Sequence, residues 1–220
     1  PIAGVDIRID ESGEIWLAGP MLLRSYRDGT DPKVDGWFPT GDLGEWGGGF
    51  PAWLEAHAAF AAVGGYGMGF TLRAALASFP AEAEIMVSEL IPAVVDWAKG
   101  SMAELFAGCL DDPRVTVAVQ DVGRVIADGA GRYDAILLDV DNGPDGLSRP
   151  SNDALYSIKG LAEQFAALSP GGVLAVWSSS TDAAFTRRLK QAGFAVEEKP
   201  VRANGKTGAR HMNSLATRPD

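Results

Sequence analysis

The chain has a single cysteine, Cys109, and two histidines, His57 and His211, among 220 residues. One cysteine excludes an internal disulfide framework and fits a reducing, cytoplasmic setting, where a buried apolar thiol is the expected state. Two isolated histidines offer no metal-ligand cluster, so no metal is expected. Basic residues are scarce as well: 19 Lys and Arg stand against 29 Asp and Glu, a formal net charge of -10. Such a chain would repel a phosphate backbone, which argues against nucleic acid and suits a cationic small molecule. No run of eighteen apolar residues and no charged-then-apolar leader is present, so neither a membrane span nor a signal peptide is expected. The chain opens on Pro1 and not on methionine, which suggests a trimmed or partial chain.

What is present is organised around Phe60 to Thr71, an apolar run ending in Gly64, Gly65, Gly67 and Gly69 and leading into the helical pattern from Leu72. Glycines at a strand-to-helix turn let the backbone pass close to a ligand, and the first free amides of the helix face it. Glu89 follows Gly69 by twenty residues, at the end of the apolar run Ile85–Ser88. A carboxylate at that place can accept from both hydroxyls of a ribose. Its competing reading is a cap for the helix beginning near Pro92.

The first fifty residues differ from the rest. Val5–Ile9 and Glu14–Ala18 alternate with period two around Asp10-Glu-Ser-Gly, which predicts a hairpin; Gly47-Gly-Gly marks a boundary. Residues 51–59 read as a short helix or connector. Beyond them, strands are predicted at 60–63, 84–88, 115–119, 134–139, 173–178, 193–198 and 210–216. Helices are predicted at 70–78, 92–107, 122–128, 153–168 and 182–191. Continuously apolar strands alternating with helices imply an α/β, doubly wound, mainly parallel sheet with a small N-terminal β segment. Right-handed crossovers then gather the glycine and acidic loops outside the carboxyl ends of the strands.

Asp121 leaves the third of those strands and either meets an exocyclic amine of an adenine or caps the next helix, roles that are compatible. Asp139 and Asp141, in Asp139-Val-Asp-Asn-Gly-Pro, can hold an ammonium and take its proton, or form an ordinary acidic turn. Trp97 and Trp177 are expected in the core, and Arg187-Arg-Leu-Lys on a solvated helix face.

Two resemblances add to this. Gly13-Glu-Ile-Trp-Leu-Ala-Gly-Pro with Gly36-Trp-Phe-Pro-Thr-Gly-Asp-Leu-Gly resembles acyl-adenylate-forming ligases, including the succinylbenzoate–CoA ligase branch, which would make Asp42 a ribose ligand. The phosphate loop and lid lysine of those ligases are absent, so residues 1–50 are expected to be a β appendage or fusion remnant. Gly64-Gly-Tyr-Gly-Met-Gly, Ser88-Glu-Leu-Ile-Pro, Asp111-Asp-Pro-Arg-Val, Tyr133-Asp-Ala-Ile-Leu-Leu-Asp-Val-Asp-Asn-Gly-Pro and Leu155-Tyr-Ser resemble the spermidine/spermine synthase family. That resemblance implies the seven-stranded Rossmann-like methyltransferase fold over 51–220, binding S-adenosylmethionine or its decarboxylated form. It puts Gly65, Gly67 and Gly69 under the methionine-derived part, Glu89 on the ribose, and Asp121 with Val122 at the adenine. Asp139, with Asp141, falls at the proton-accepting position, and Asn142 and Tyr156 fall in the substrate site. An amine acceptor and aminopropyl transfer follow; a homodimer is common in that family. Asn142 stands where the family has a second aspartate, and Tyr66 and Met68 alter the glycine loop. Methyl transfer to another acceptor, or an inactive fusion, stay open on these residues.

Overall fold

The computed structural model describes residues 6–9, 14–18, 33–43, 50–100, 103–140, 143–144, 150–204 and 207–220. At the N-terminus three antiparallel strands form a small sheet in the order β1 (Asp6–Ile9), β2 (Glu14–Ala18), β3 (Phe38–Leu43). The hairpin expected from the alternating pattern is the β1–β2 pair, with Ile7 opposite Leu17. The Thr-Gly-Asp stretch forms β3 and pairs with β2; its side chains lie outside the described residues, Asp42 among them.

After helix α1 (Ala52–His57) the chain alternates strand and helix: β4 (Phe60–Gly64), α2 (Phe70–Ser78), β5 (Glu84–Glu89), α3 (Pro92–Lys99), α4 (Ala103–Phe106), β6 (Val115–Val119), α5 (Val122–Ala127) and β7 (Tyr133–Leu138). It continues through α6 (Pro150–Leu155), α7 (Ile158–Ala167), β8 (Leu168–Ser178), α8 (Ala183–Gln191), β9 (Ala195–Asn204) and β10 (Thr207–Thr217). The seven strands from β4 onward form one sheet in the order β6-β5-β4-β7-β8-β10-β9. Pairings from β6 through β8 are parallel, and β10 runs antiparallel to both β8 and β9. The expected doubly wound sheet is thus observed, closed by an antiparallel edge.

The central strands are buried on both faces, as their apolar runs require. Val63, Ile85, Val87, Ala135 and Leu137 pack toward α1 and α2, while Ala62, Ile136, Leu138, Leu174 and Val176 pack toward α5 and α7. Arg114 of the Asp111-Asp-Pro-Arg motif holds Asp112 through paired bonds of 3.0 Å and donates to the Leu76 carbonyl, tying the end of α2 to the start of β6.

Three expectations need correction. The helix predicted over 92–107 ends at Lys99, because Gly100 leaves helical geometry (φ -119°, ψ -108°). The one predicted over 153–168 is two helices, separated where Ser157 caps α7 by accepting from Gly160 N. Trp97 is 40% exposed and does not enter the core. On α3 the buried stripe is Val95 and Ala98, and a residue two positions from Val95 points to the opposite side. No helix among the described residues is long and apolar enough to cross a membrane.

Candidate active site

Parallel strands β4, β5, β6 and β7 end on one edge, so the segment leaving each contributes to a single cavity of about 290 Å³. Gly65 and Gly67 come from the turn after β4, Glu89 from the tip of β5, Asp121 and Val122 from the head of α5, and Asp139 from the end of β7. These are six of the residues singled out from the sequence. Gly69 and Tyr156 do not line the cavity, and Asp141 and Asn142 lie outside the described residues.

The glycine turn is as tight as the sequence suggests. Gly65 has φ +80°, and a Cβ there would sit 2.6 Å from the Asp139 carbonyl oxygen. Gly67 also has positive φ, +50°, but a Cβ would meet nothing within 4 Å. Gly65→Ala is therefore expected to destabilise the fold by about 1–3 kcal/mol and to weaken adenosyl-ligand binding strongly, with Gly67→Ala milder on both counts. Thermal denaturation and ligand titration of the two variants check this ordering. Gly69 serves another purpose: in left-handed geometry (φ +75°) it heads α2, packed against Tyr66, Phe106 and Cys109.

The residues that depart from the family's glycine loop turn away from the cavity. Tyr66 is buried, stacks on Phe106 at 5.0 Å, and its hydroxyl lies 3.2 Å from Cys109 Sγ. Burial foremost, then the Cys109 contact, pushes its phenol pKa up, and burial pushes the Cys109 thiol up as well, so both stay neutral. Met68 packs against the same core.

Two backbone amides hold the Glu89 carboxylate. The residue is 7% exposed; Oε2 accepts from Tyr66 N at 3.0 Å and Oε1 from Ile91 N at 2.8 Å. Each carboxylate oxygen has a second lone pair, which leaves acceptor capacity for the cavity that Glu89 lines. The cap expected of Asp121 is observed: its Oδ1 accepts from Gly123 N at 2.8 Å at the head of α5, and its Oδ2 has no protein donor among the described residues.

Asp139 is held through both its backbone and its side chain. Its backbone N donates to Gly64 O at 3.0 Å, and Thr71 Oγ1 donates to its Oδ2 at 2.7 Å. Desolvation raises its pKa above the ordinary carboxylate range, and the Thr71 hydroxyl works in the opposite direction. Tyr156 supports this end from behind: its hydroxyl donates to Val140 O at 3.4 Å, its ring meets Phe185 edge-on, and Arg188 Nε donates to its carbonyl. Arg188 is thus held structurally, in contrast to the solvated face expected for it.

Sequence reasoning passed over Thr71, Ser88, Leu90, Ile91 and Gln120. Ser88 donates to Gln120 O at 2.7 Å and joins the edges of β5 and β6 where the cavity begins. Leu90 and Ile91, 44% and 42% exposed, form an apolar wall. Ser88, Leu90 and Ile91 stand inside a motif already quoted, so adjacency to Glu89 was the available signal.

A cavity at the carboxyl edge of a parallel sheet, floored by glycine and ringed by acids, invites comparison with known proteins. The Spermine/spermidine synthase domain model matches residues 49–188, well over half the chain. The chain belongs to the spermine/spermidine synthase domain family. It is 33% identical over 156 residues to the polyamine aminopropyltransferase of Mycobacterium tuberculosis, covering 67% of this chain and 29% of that protein. It therefore spans less than a third of the length of that relative. Among solved structures, spermidine synthase from Thermotoga maritima aligns with a TM-score of 0.62 at 16% identity, covering 97% of this chain and 69% of that one. Human methyltransferase-like protein 13 in complex with SAH aligns with a TM-score of 0.58 at 23% identity, covering 76% and 75%. These likenesses show the fold; the methyltransferase likeness fits the Rossmann-like sheet this family shares.

Proposed function

We propose that this domain transfers an aminopropyl group from decarboxylated S-adenosylmethionine to an amine. The observation that carries the reading is the cavity's charge: Glu89, Asp121 and Asp139 line it, and no lysine, arginine or histidine does so among the described residues. Such a lining favours a cationic sulfonium with an ammonium tail and gives a carboxylate no partner, which sets the decarboxylated ligand above S-adenosylmethionine itself. The residues fit an adenosyl ligand. Glu89 and Asp121 hold spare acceptors for ribose hydroxyls and an adenine amine, and the Gly65 turn allows the close backbone approach that a Cβ would block. Among the described residues no group of His, Cys, Asp and Glu could hold a metal ion.

When bound, the sulfonium supplies an activated carbon and a neutral thioether leaving group. The chain supplies alignment and a base. As the new N–C bond forms and the C–S bond breaks, Asp139 takes the proton released by the amine and returns it to solvent. The partner in this reading is a small amine in a soluble, cytoplasmic setting. The reading also divides the chain near residue 50, in keeping with the start of the family match at residue 49, and leaves residues 1–50 as an appended β segment. Incubation with decarboxylated S-adenosylmethionine and putrescine, followed by mass spectrometry, should show methylthioadenosine and an aminopropylated amine in equal amounts. Methylated product from S-adenosylmethionine, without methylthioadenosine release, would replace the reading with methyl transfer.

A further inference from the structure

We propose that Thr71 is a positioning residue for the proton-accepting carboxylate, dividing Asp139 into one oxygen held by the protein and one that serves the substrate amine. The inference rests on the reading of Asp139 as the base and deepens it. Thr71 stands second in α2, is 4% exposed, and gives its hydroxyl hydrogen to Asp139 Oδ2 at 2.7 Å. Oδ1 has no donor among the described residues, so it is the oxygen left to take a proton. The backbone around it is fixed too, by the bond from Asp139 N to Gly64 O. Burial of Thr71 and the bond itself hold the donor in place.

The hydroxyl has a second consequence. A donor aimed at a carboxylate stabilises its ionised form, and here it opposes the desolvation of Asp139. Other charged groups give no comparable help. Glu89 from β5 and Asp121 from the head of α5 share the cavity and are like-charged. β4 and β8 carry no titratable side chain at all, and α2 adds Arg73, whose guanidinium lies over the Phe70 ring at 4.5 Å.

The test compares the unmodified chain with Thr71→Ser and Thr71→Val. The ¹³Cγ resonance of Asp139, followed against pH by NMR, should titrate at a higher midpoint in Thr71→Val than in the other two. The acid limb of kcat/KM should move to higher pH in the same variant alone, with rate on that limb down several-fold and recovered at higher pH. Serine keeps the donor and should behave as threonine does. Binding of methylthioadenosine, measured by calorimetry, checks that each variant is folded and should change little. Coincident NMR midpoints in folded Thr71→Val and the unmodified chain overturn the inference. If no variant transfers at any pH, the reading of the reaction fails, while the NMR midpoints still decide whether Thr71 sets the carboxylate.

Discussion

Asp139→Asn is expected to cut transfer by orders of magnitude while leaving adenosyl-ligand affinity nearly intact and raising thermal stability. The amide keeps the shape of the carboxylate but cannot take a proton. General-base assistance contributes roughly 10²–10⁴ in rate, and a loss of that size in kcat is the expected outcome. The stability effect follows from linkage. Desolvation raises the folded-state pKa of Asp139 above its unfolded value. The native state then binds more protons than the unfolded chain between the two values, so its stability falls as pH rises through that window. Above the unfolded-state value the buried carboxyl is a burden on the fold, which the uncharged asparagine removes. Melting curves of both proteins at neutral pH and at pH about 4 should differ at the first and converge toward the second. Retained turnover would remove Asp139 from the role of base.

Glu89→Ala should weaken binding of adenosyl ligands by roughly 10- to 150-fold, the equivalent of about 1.5–3 kcal/mol for hydrogen bonds to a charged acceptor. It should also lower stability, because the same carboxylate satisfies the Tyr66 and Ile91 amides. Glu89→Gln keeps the length of the side chain without its second acceptor oxygen. Its NH₂ replaces one acceptor with a donor that must confront the amide of Tyr66 or Ile91, so it should remain impaired in both respects. Calorimetric titration with methylthioadenosine measures the affinities, and unchanged values would take Glu89 out of the ribose site.

The sheet was legible because its strands carry continuous apolar runs bounded by glycine and acid, and crossover handedness then puts their ends on one edge. Gly65, Glu89, Asp121 and Asp139 could be found from that alone. Side-chain direction could not. Tyr66 and Met68 sit in the glycine loop as though they altered the ligand site, and only packing against Phe106 and Cys109 shows them facing the core. Gly69 looks like its neighbours in sequence yet is needed for its left-handed turn at the head of α2. Tyr156 belongs to a quoted motif but acts through Val140 O. Thr71 escaped because a threonine after a glycine run has no pattern of its own, and its partner lies sixty-eight positions away. The broken helices failed for local reasons: Gly100 and the Ser157 cap interrupt runs whose hydrophobic period continues past them. The ligase-like motifs place Asp42 on β3, and its side chain lies outside the described residues.

The central claim is that a cavity lined by acids, with no basic side chain among the described residues, selects a decarboxylated adenosyl ligand. Calorimetric titration of the purified chain with decarboxylated S-adenosylmethionine, S-adenosylmethionine, methylthioadenosine and ATP tests it most directly. Tight binding of the decarboxylated form and of methylthioadenosine is expected, with weaker binding of S-adenosylmethionine and none of ATP. Tighter binding of S-adenosylmethionine than of its decarboxylated form, or no response to any adenosyl ligand, would contradict it.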